Sequence, residues 1–241
     1  MPTYKLLSSS SPKIDKSNKI QDKYFSRIMY LAPSDLADGK RTVCPYAKIA
    51  MCEEGCLNTA GMGGVYPSIQ KARIRKTLLF LNEYETFMSY LVEDINKFIK
   101  ECAKLDKLPC LRLNGTSDIQ WEHQEYKGKT VFEMFPQIQF YDYTKIPTRK
   151  VEGIPNYHLT WSYSEANEKY SKLFDKVPNN KAVVFRNFLP SMFKDIKVID
   201  GDEHDMRFLD EPNVVVGLKA KGKAKKDSSG FVIDLIEARA V

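Results

Sequence analysis

The sequence contains the stretch Cys44-Pro-Tyr-Ala-Lys-Ile-Ala-Met-Cys52-Glu-Glu-Gly-Cys56, which holds three of the five cysteines of the chain in the spacing C-x7-C-x3-C. Cys52 and Cys56 are four residues apart, so one helical turn would place both thiols on the same face. Three thiolates that converge on one point can bind a cubane [4Fe-4S] cluster and leave one iron without a cysteine ligand. The spacing therefore predicts a metal centre with Cys44, Cys52 and Cys56 as its ligands.

Two other interpretations of these cysteines are open. The thiolates could supply three ligands of a tetrahedral zinc ion, although zinc motifs usually combine two close pairs of ligands and this stretch has a single triplet. The cysteines could also be small buried apolar residues without a metal, the ordinary role of free cysteine. Cys102 and Cys110 are poorly placed as a fourth ligand, because Cys102 lies on an apolar helical stripe and Cys110 at the far end of a predicted strand.

Seven segments on both sides of this stretch have the character of strands. The first, residues 25–31, ends shortly before the cysteines, so the cysteine loop follows the first strand. The others lie within residues 108–118, 138–143, 157–162, 181–187, 196–200 and 214–218. Several are separated by helical segments, and polar residues follow most of them. This alternation predicts one TIM-like (β/α) barrel or partial barrel, with the cysteine loop at the carboxyl edge where ligands bind.

The second predicted strand and its loop supply the candidate catalytic residues Arg112, Asn114 and Asp118. Strand alternation turns Arg112 and Asn114 toward the interior of the barrel. A buried Arg112 needs a partner or a ligand, because an unpaired buried charge is costly. The turn that carries Asp118 leaves the same edge as the cysteine loop. An exogenous small molecule is the favoured ligand of the open iron, and Asp118 is the best alternative from the protein.

The whole-chain properties limit the class of protein. A chain of 241 residues in which 43% are hydrophobic is long and apolar enough for a sizeable core. We expect a polar N-terminal arm at residues 1–22 and one domain at residues 23–241. The sequence has no signal-peptide pattern and no apolar run of the ~20 residues that a membrane helix needs. These features predict a cytoplasmic protein without a membrane anchor, in which cysteines bind metal or stay free.

Three short motifs carry a resemblance to a known family. They are Cys44-Pro-Tyr-Ala47 with Cys52 and Cys56, Arg112-Leu-Asn114 with Ser117-Asp118, and Phe185-Arg-Asn187. The chain resembles the gene-product-88-like group of phage-encoded proteins over roughly residues 25–220. The resemblance implies a bacteriophage origin, an iron–sulfur cluster and a location in the cytoplasm of the infected host cell. It implies no particular reaction.

The predicted strand, three-cysteine loop and further βα units are also similar to the radical S-adenosylmethionine enzymes. Those partial TIM barrels hold a [4Fe-4S] cluster by three cysteines that follow the first strand. Their usual spacing is C-x3-C-x2-C, and the present chain has Asn114-Gly-Thr-Ser where they carry a Gly-Gly-Glu-type segment. S-adenosylmethionine is therefore a possible ligand here, rather than the expected one.

Two classes of function follow. The first is a redox or radical-type enzyme that binds a small molecule at the open iron. The second is a nucleic-acid-binding or protein-binding module in which the metal is a structural staple. Its contact surface would be the basic helix around residues 71–76 and the lysine run 219–226, which otherwise are solvated segments. Access to the iron separates the two classes, since an enzyme needs an open position.

Overall fold

The protein was analysed as a computed structural model that describes residues 4–9 and 12–235. Residues 1–3, 10, 11 and 236–241, which belong to the predicted segments 1–22 and 23–241, lie outside the described residues. The helices are α1 (Pro12–Ile20), α2 (Gly61–Val65), α3 (Pro67–Asn82), α4 (Tyr84–Lys104), α5 (Val131–Met134) and α6 (Glu168–Ser171). The strands are β1 (Leu7–Ser8), β2 (Tyr24–Met29), β3 (Leu108–Arg112), β4 (Glu125–Tyr126), β5 (Lys129–Thr130), β6 (Gln139–Thr144), β7 (Tyr157–Ser162), β8 (Lys181–Phe185), β9 (Met192–Phe193), β10 (Ile196–Asp200), β11 (Val215–Lys219) and β12 (Val232–Ile233).

Ten of the strands form one mostly parallel sheet, in the order β1-β2-β3-β6-β7-β8-β11-β10-β9 with β12 added to β8. All seven predicted strands are present in it, as β2, β3, β6, β7, β8, β10 and β11. On one side of β8, β11 pairs along the whole strand. On the other side, β7 pairs with Lys181 and Ala182, and β12 pairs with Val184 and Phe185. Strand β12 thus pairs with the carboxyl end of β8, beyond the point where β7 ends.

The prediction of a TIM-like (β/α) barrel or partial barrel is wrong, because the sheet of the described residues is not closed. Its edge strands β1 and β9 are short antiparallel additions that do not pair with each other. A TIM barrel has a helix after each strand and strands that neighbour each other in chain order. Here no helix joins β6 to β7, and β11 lies between β8 and β10. Residues 121–235 therefore lack the helical layer that surrounds a closed barrel.

Helices α3 and α4 cover one face of the sheet and form the main core with it. The buried positions of α4 include Phe87, Leu91, Ile95, Phe98 and Cys102. They pack with residues of the central strands, among them Leu111, Leu113, Phe140 and Leu159. This confirms the predicted apolar stripe of α4 and the interpretation of Cys102 as a core residue. Burial of such side chains stabilises a fold by roughly 1.5–3 kcal/mol each.

The segment 202–210, which follows β10, covers part of the opposite face. Met206 packs against Cys110 and Tyr141 there. Arg112 donates from Nη1 to Asp205 Oδ2 at 3.0 Å. Alternation along β3 places Cys110 and Arg112 on this face and Leu111 on the helical face. The buried Arg112 thus has the partner that its burial requires, from a segment more than 90 residues later in the chain.

The described part of the segment 1–22 belongs to the folded body. Leu6 and Leu7 are buried, and β1 pairs with β2. Their two main-chain N–H groups donate to Asp94 Oδ2 of α4 at 2.6 and 3.1 Å.

None of the helices in the described residues has the length and apolar character of a membrane span.

Candidate functional site

The cysteine loop, residues 30–60, leaves the carboxyl end of β2 and is tied to two other strand ends. The N–H of Asp118, in the loop after β3, donates to Val43 O at 2.8 Å. The Oγ of Ser164, two residues beyond β7, donates to Ala50 O at 2.9 Å. Since the carboxyl ends of parallel strands lie at one edge of a sheet, these bonds hold all three cysteines at the edge where α/β proteins bind ligands.

The cysteine loop consists of tight turns around its cysteines. The N–H of Cys52 donates to Ala47 O at 3.1 Å, and Cys56 caps a 3-10 helix at Leu57–Thr59. Met51 has a φ of 51°, a left-handed conformation that is uncommon outside glycine. The helical turn considered between Cys52 and Cys56 does not form, so the turns themselves determine where the two thiols lie.

A cavity of about 170 Å³ lies at this edge, and all three cysteines of the loop line it. Phe231, just before β12, forms part of its wall. A Cβ atom at Gly55 would lie 2.9 Å from two ring atoms of Phe231, so glycine is needed for this close approach. The polar lining includes Arg112, Asn114, Asp118, Lys145, Lys219 and Lys221. The structure therefore brings together the predicted ligands and all three candidate catalytic residues.

Main-chain N–H groups point at two of the three sulfurs. Ser34 N–H donates to Cys44 Sγ at 3.2 Å, and Asn58 N–H donates to Cys56 Sγ at 3.5 Å. Such hydrogen bonds stabilise thiolates and tune the potential of clusters that thiolates bind. The thiol of Cys52 itself donates to Ala47 O at 3.7 Å.

Burial controls the protonation of the free thiols. It raises the pKa of Cys44 and of Cys52, and it raises the pKa of Cys56 to about 11 although the Asn58 N–H opposes the shift. The metal-free thiols are therefore neutral at pH 7, and a bound metal would have to displace their protons. Cys102 and Cys110 lie elsewhere: Cys102 is in the α4 core, and Cys110 donates to Phe25 O across the sheet.

The three thiols do not form a ready site for a single metal ion. Within residues 4–9 and 12–235, no three side chains of His, Cys, Asp and Glu form a group that could hold one metal ion. A zinc ion needs its thiolates at roughly 2.3 Å from one centre. In a cubane, each cysteine binds a different iron, so the sulfurs can be further apart around a common cavity. The observation relevant to a cluster is that three thiols line one cavity and two of them accept from main-chain N–H groups.

Asp118 lines the cavity, but both of its carboxylate oxygens already accept hydrogen bonds. Arg149 Nη1 donates to Oδ1 at 3.2 Å, and Lys145 N–H donates to Oδ2 at 2.7 Å. Burial raises the pKa of Asp118, and the positive charge of Arg149 opposes this shift. Asp118 therefore has an internal role in fixing two loops, which makes it less available as a fourth ligand.

The side-chain amide of Asn114 also forms hydrogen bonds within the protein. Its Oδ1 accepts from Ser117 Oγ and from Ile119 N–H at 2.9 Å each. Its Nδ2 donates to Ile119 O at 2.9 Å and to Asp142 Oδ2 at 3.2 Å. These bonds fold the loop after β3, so Asn114 positions Asp118 and its neighbours rather than offering donors to a ligand.

The buried Asp142 of β6 gives this network a pH dependence. Its carboxylate accepts from Asn114 N–H at 2.7 Å and from the Tyr157 hydroxyl at 3.1 Å. Burial raises the pKa of Asp142 to about 7, although Arg112 and Arg149 favour the charged form. The unfolded chain has the ordinary value of roughly 3.9. Between these values, the folded state binds a proton that the unfolded state has released.

We therefore expect the Asp142 contribution to the free energy of unfolding to fall as the pH rises from about 4 to about 7. Urea unfolding of the wild type and of Asp142→Asn at pH 5.0 and 7.5 measures it. The loss of stability between the two pH values should be smaller in the variant, because asparagine does not titrate. Some loss can remain in both proteins, since other groups titrate in this range. Equal losses in the two proteins would contradict this assignment.

Lys145 is the site residue that the sequence analysis missed. It follows β6 directly, and 9% of its surface is exposed. Its Nζ donates to Tyr163 O at 3.3 Å and lies 4.6 Å from the centre of the Phe231 ring. Burial lowers its pKa to about 8, while Cys52 and Asp118 oppose this shift. A lysine immediately after a parallel strand was the available signal.

The basic segments are only partly exposed. In α3, Arg73 is buried and donates to Asn58 Oδ1 at 2.5 Å, and Lys76 Nζ donates to Leu6 O at 2.7 Å. Lys71 and Arg75 are exposed. In the lysine run, Lys219 and Lys221 line the cavity. Both segments thus contain basic residues with contacts inside the protein or the cavity as well as exposed ones.

The protein is an α/β protein with an open, mostly parallel sheet, and a cavity lined by cysteines lies at the carboxyl edge of that sheet. The chain matches the family of gene product 88 over residues 5–235, which is nearly its whole length, and it belongs to this phage family. No curated protein matches the chain. No solved structure matches it either.

Proposed function

We propose that this protein binds a [4Fe-4S] cluster through Cys44, Cys52 and Cys56 and uses it in a redox or radical-type reaction of a small molecule. The observation that carries the proposal is the shared cavity, which three thiols from one loop line together. Main-chain N–H groups on two of the sulfurs support thiolate ligation. The family relationship agrees with a phage protein and names no reaction.

An open iron is the second part of the proposal. Cubane clusters that the protein closes by itself normally have four cysteine ligands. Cys102 and Cys110 pack in other parts of the structure, and the oxygens of Asp118 are occupied by Arg149 and Lys145. One iron of the cluster would therefore have no ligand from the protein, and a small molecule in the cavity would be able to bind it.

The cluster would supply Lewis acidity or one electron at that position. The chain holds the sulfurs through Ser34 N–H and Asn58 N–H. The Asp118–Arg149 pair fixes the loop that forms one wall, and Phe231 forms an apolar wall that limits the access of water. A low-dielectric site of this kind strengthens any charge interaction inside it.

Anaerobic purification followed by iron and sulfide analysis and EPR of the reduced protein tests the proposal. We expect a brown protein with about four iron and four sulfide per chain. An open iron should also change its EPR signal when cyanide, a small thiol or S-adenosylmethionine is added. Cleavage of S-adenosylmethionine upon reduction would assign the reaction to the radical type.

Two results would contradict the proposal. A protein that contains zinc and no sulfide would exclude the cluster. A cluster whose EPR signal responds to none of the three additions, and which Asp118→Ala abolishes, would be closed by Asp118. The metal would then be a structural staple, and a nucleic-acid-binding or protein-binding function would replace the enzymatic one.

A further inference from the structure

The cavity beside the cysteines carries an excess of positive charge. Four basic side chains line it, and Asp118 is its single acidic lining residue. Asp118 is paired with Arg149, and of the four basic residues, Arg112 is paired with Asp205. Lys221 pairs with Asp202. Two basic residues, Lys145 and Lys219, then remain.

Within the described residues, neither Lys145 nor Lys219 forms an ion pair with a carboxylate. Lys145 is the more informative, because it is buried and its ammonium group donates one long hydrogen bond, to Tyr163 O at 3.3 Å. An ammonium group has three N–H donors. Its other partner is the Phe231 ring, 4.6 Å away, which carries no charge, and a charged group without an ion pair away from water is costly. Its position on the cavity indicates that a ligand supplies the missing acceptor.

We propose that the cavity binds a small-molecule carboxylate. The carboxylate would form an ion pair with Lys145 next to the cysteines, and the exposed Lys219 would attract it electrostatically. This inference deepens the proposed function and rests on it for the position of the iron. A carboxylate fits better than a phosphate, because the one buried ammonium without an ion pair, that of Lys145, balances a single negative charge.

Isothermal titration calorimetry of the anaerobically purified protein with acetate, lactate and citrate tests this inference. We expect at least one of the three to bind, and Lys145→Met to weaken that binding by about tenfold or more, the equivalent of ~1.4 kcal/mol. Lys219→Met, at an exposed position, should weaken it a few-fold without a risk to folding. Lys223→Met is the matched control, because this exposed lysine of the same run does not line the cavity.

Iron and sulfide are measured on the same samples, so that the two proposals can fail separately. If the wild type carries its cluster and binds none of the carboxylates, or if all three lysine variants bind like the wild type, the carboxylate site is wrong and the cluster stands. If the wild type binds a carboxylate in a Lys145-dependent manner but contains no iron, the carboxylate site stands and the cluster is wrong. Tighter binding of inorganic phosphate than of every carboxylate would also overturn the inference.

Discussion

Replacing Cys52 by alanine should leave the anaerobically purified protein almost free of iron and sulfide, where the wild type is expected to carry about four of each. Cys52 lines the cavity with Cys44 and Cys56, and a cluster held by three protein ligands cannot readily lose one of them. Cys44→Ala and Cys56→Ala should have the same effect. Iron and sulfide assays, together with the visible absorbance of the cluster, give the readout.

Cys102→Ala and Cys110→Ala are matched controls, because both thiols are buried outside the cavity. They should keep the full iron and sulfide content. Circular dichroism of all five variants checks that loss of iron does not reflect loss of fold. Retention of four iron atoms in Cys52→Ala, or a complete loss in Cys110→Ala with the fold intact, would contradict the assignment of the ligands.

Replacing Arg149 by methionine should lower the free energy of unfolding by about 3–5 kcal/mol. Arg149 donates to Glu122 Oε1 at 2.8 Å and to Asp118 Oδ1 at 3.2 Å. It also donates to the Tyr157 hydroxyl at 2.8 Å. All of these side chains are buried, so methionine would leave two carboxylates without their common cation. Urea unfolding of the two proteins measures the difference.

Lys97→Met is the control for this prediction. It removes a cation from the exposed pair with Glu93 on α4, and such pairs contribute about 0.3–0.5 kcal/mol. Arg149→Lys should be intermediate, since an ammonium cannot reach both carboxylates in the manner of the guanidinium fork. A loss below about 1 kcal/mol in Arg149→Met would show that the buried cluster of charges contributes little to stability.

Local patterns of the sequence predicted the elements of the fold well. The apolar stripe from Phe87 to Cys102 forms the buried face of α4, and the strand candidates form the sheet. Polar residues at strand ends also indicated the correct edge, since Asp118 and Cys44 lie on the same cavity. These features depend on residues that are close in sequence, where periodicity alone decides which side is buried.

Contacts between distant segments account for what was missed. Nothing local to Arg112 points to Asp205, and nothing near Leu6 points to Asp94. The barrel was inferred from alternating strands and helices, but closure depends on strand order, and β11 pairs with β8 rather than following β10 at an edge. Lys145 was missed because its surroundings include Phe231, a residue distant in sequence and just before β12, whose ring lies next to its ammonium group.

The cysteine loop is held by hydrogen bonds from Asp118 N–H and Ser164 Oγ to its own carbonyls, and these bonds do not involve sulfur. This loop therefore has fixing contacts of its own, unlike small zinc domains that fold only around their metal. Under the proposed function, insertion of the cluster would be a separate step into an already folded site, whose lining includes the exposed Leu57. The folded protein would then be present in cells that lack iron.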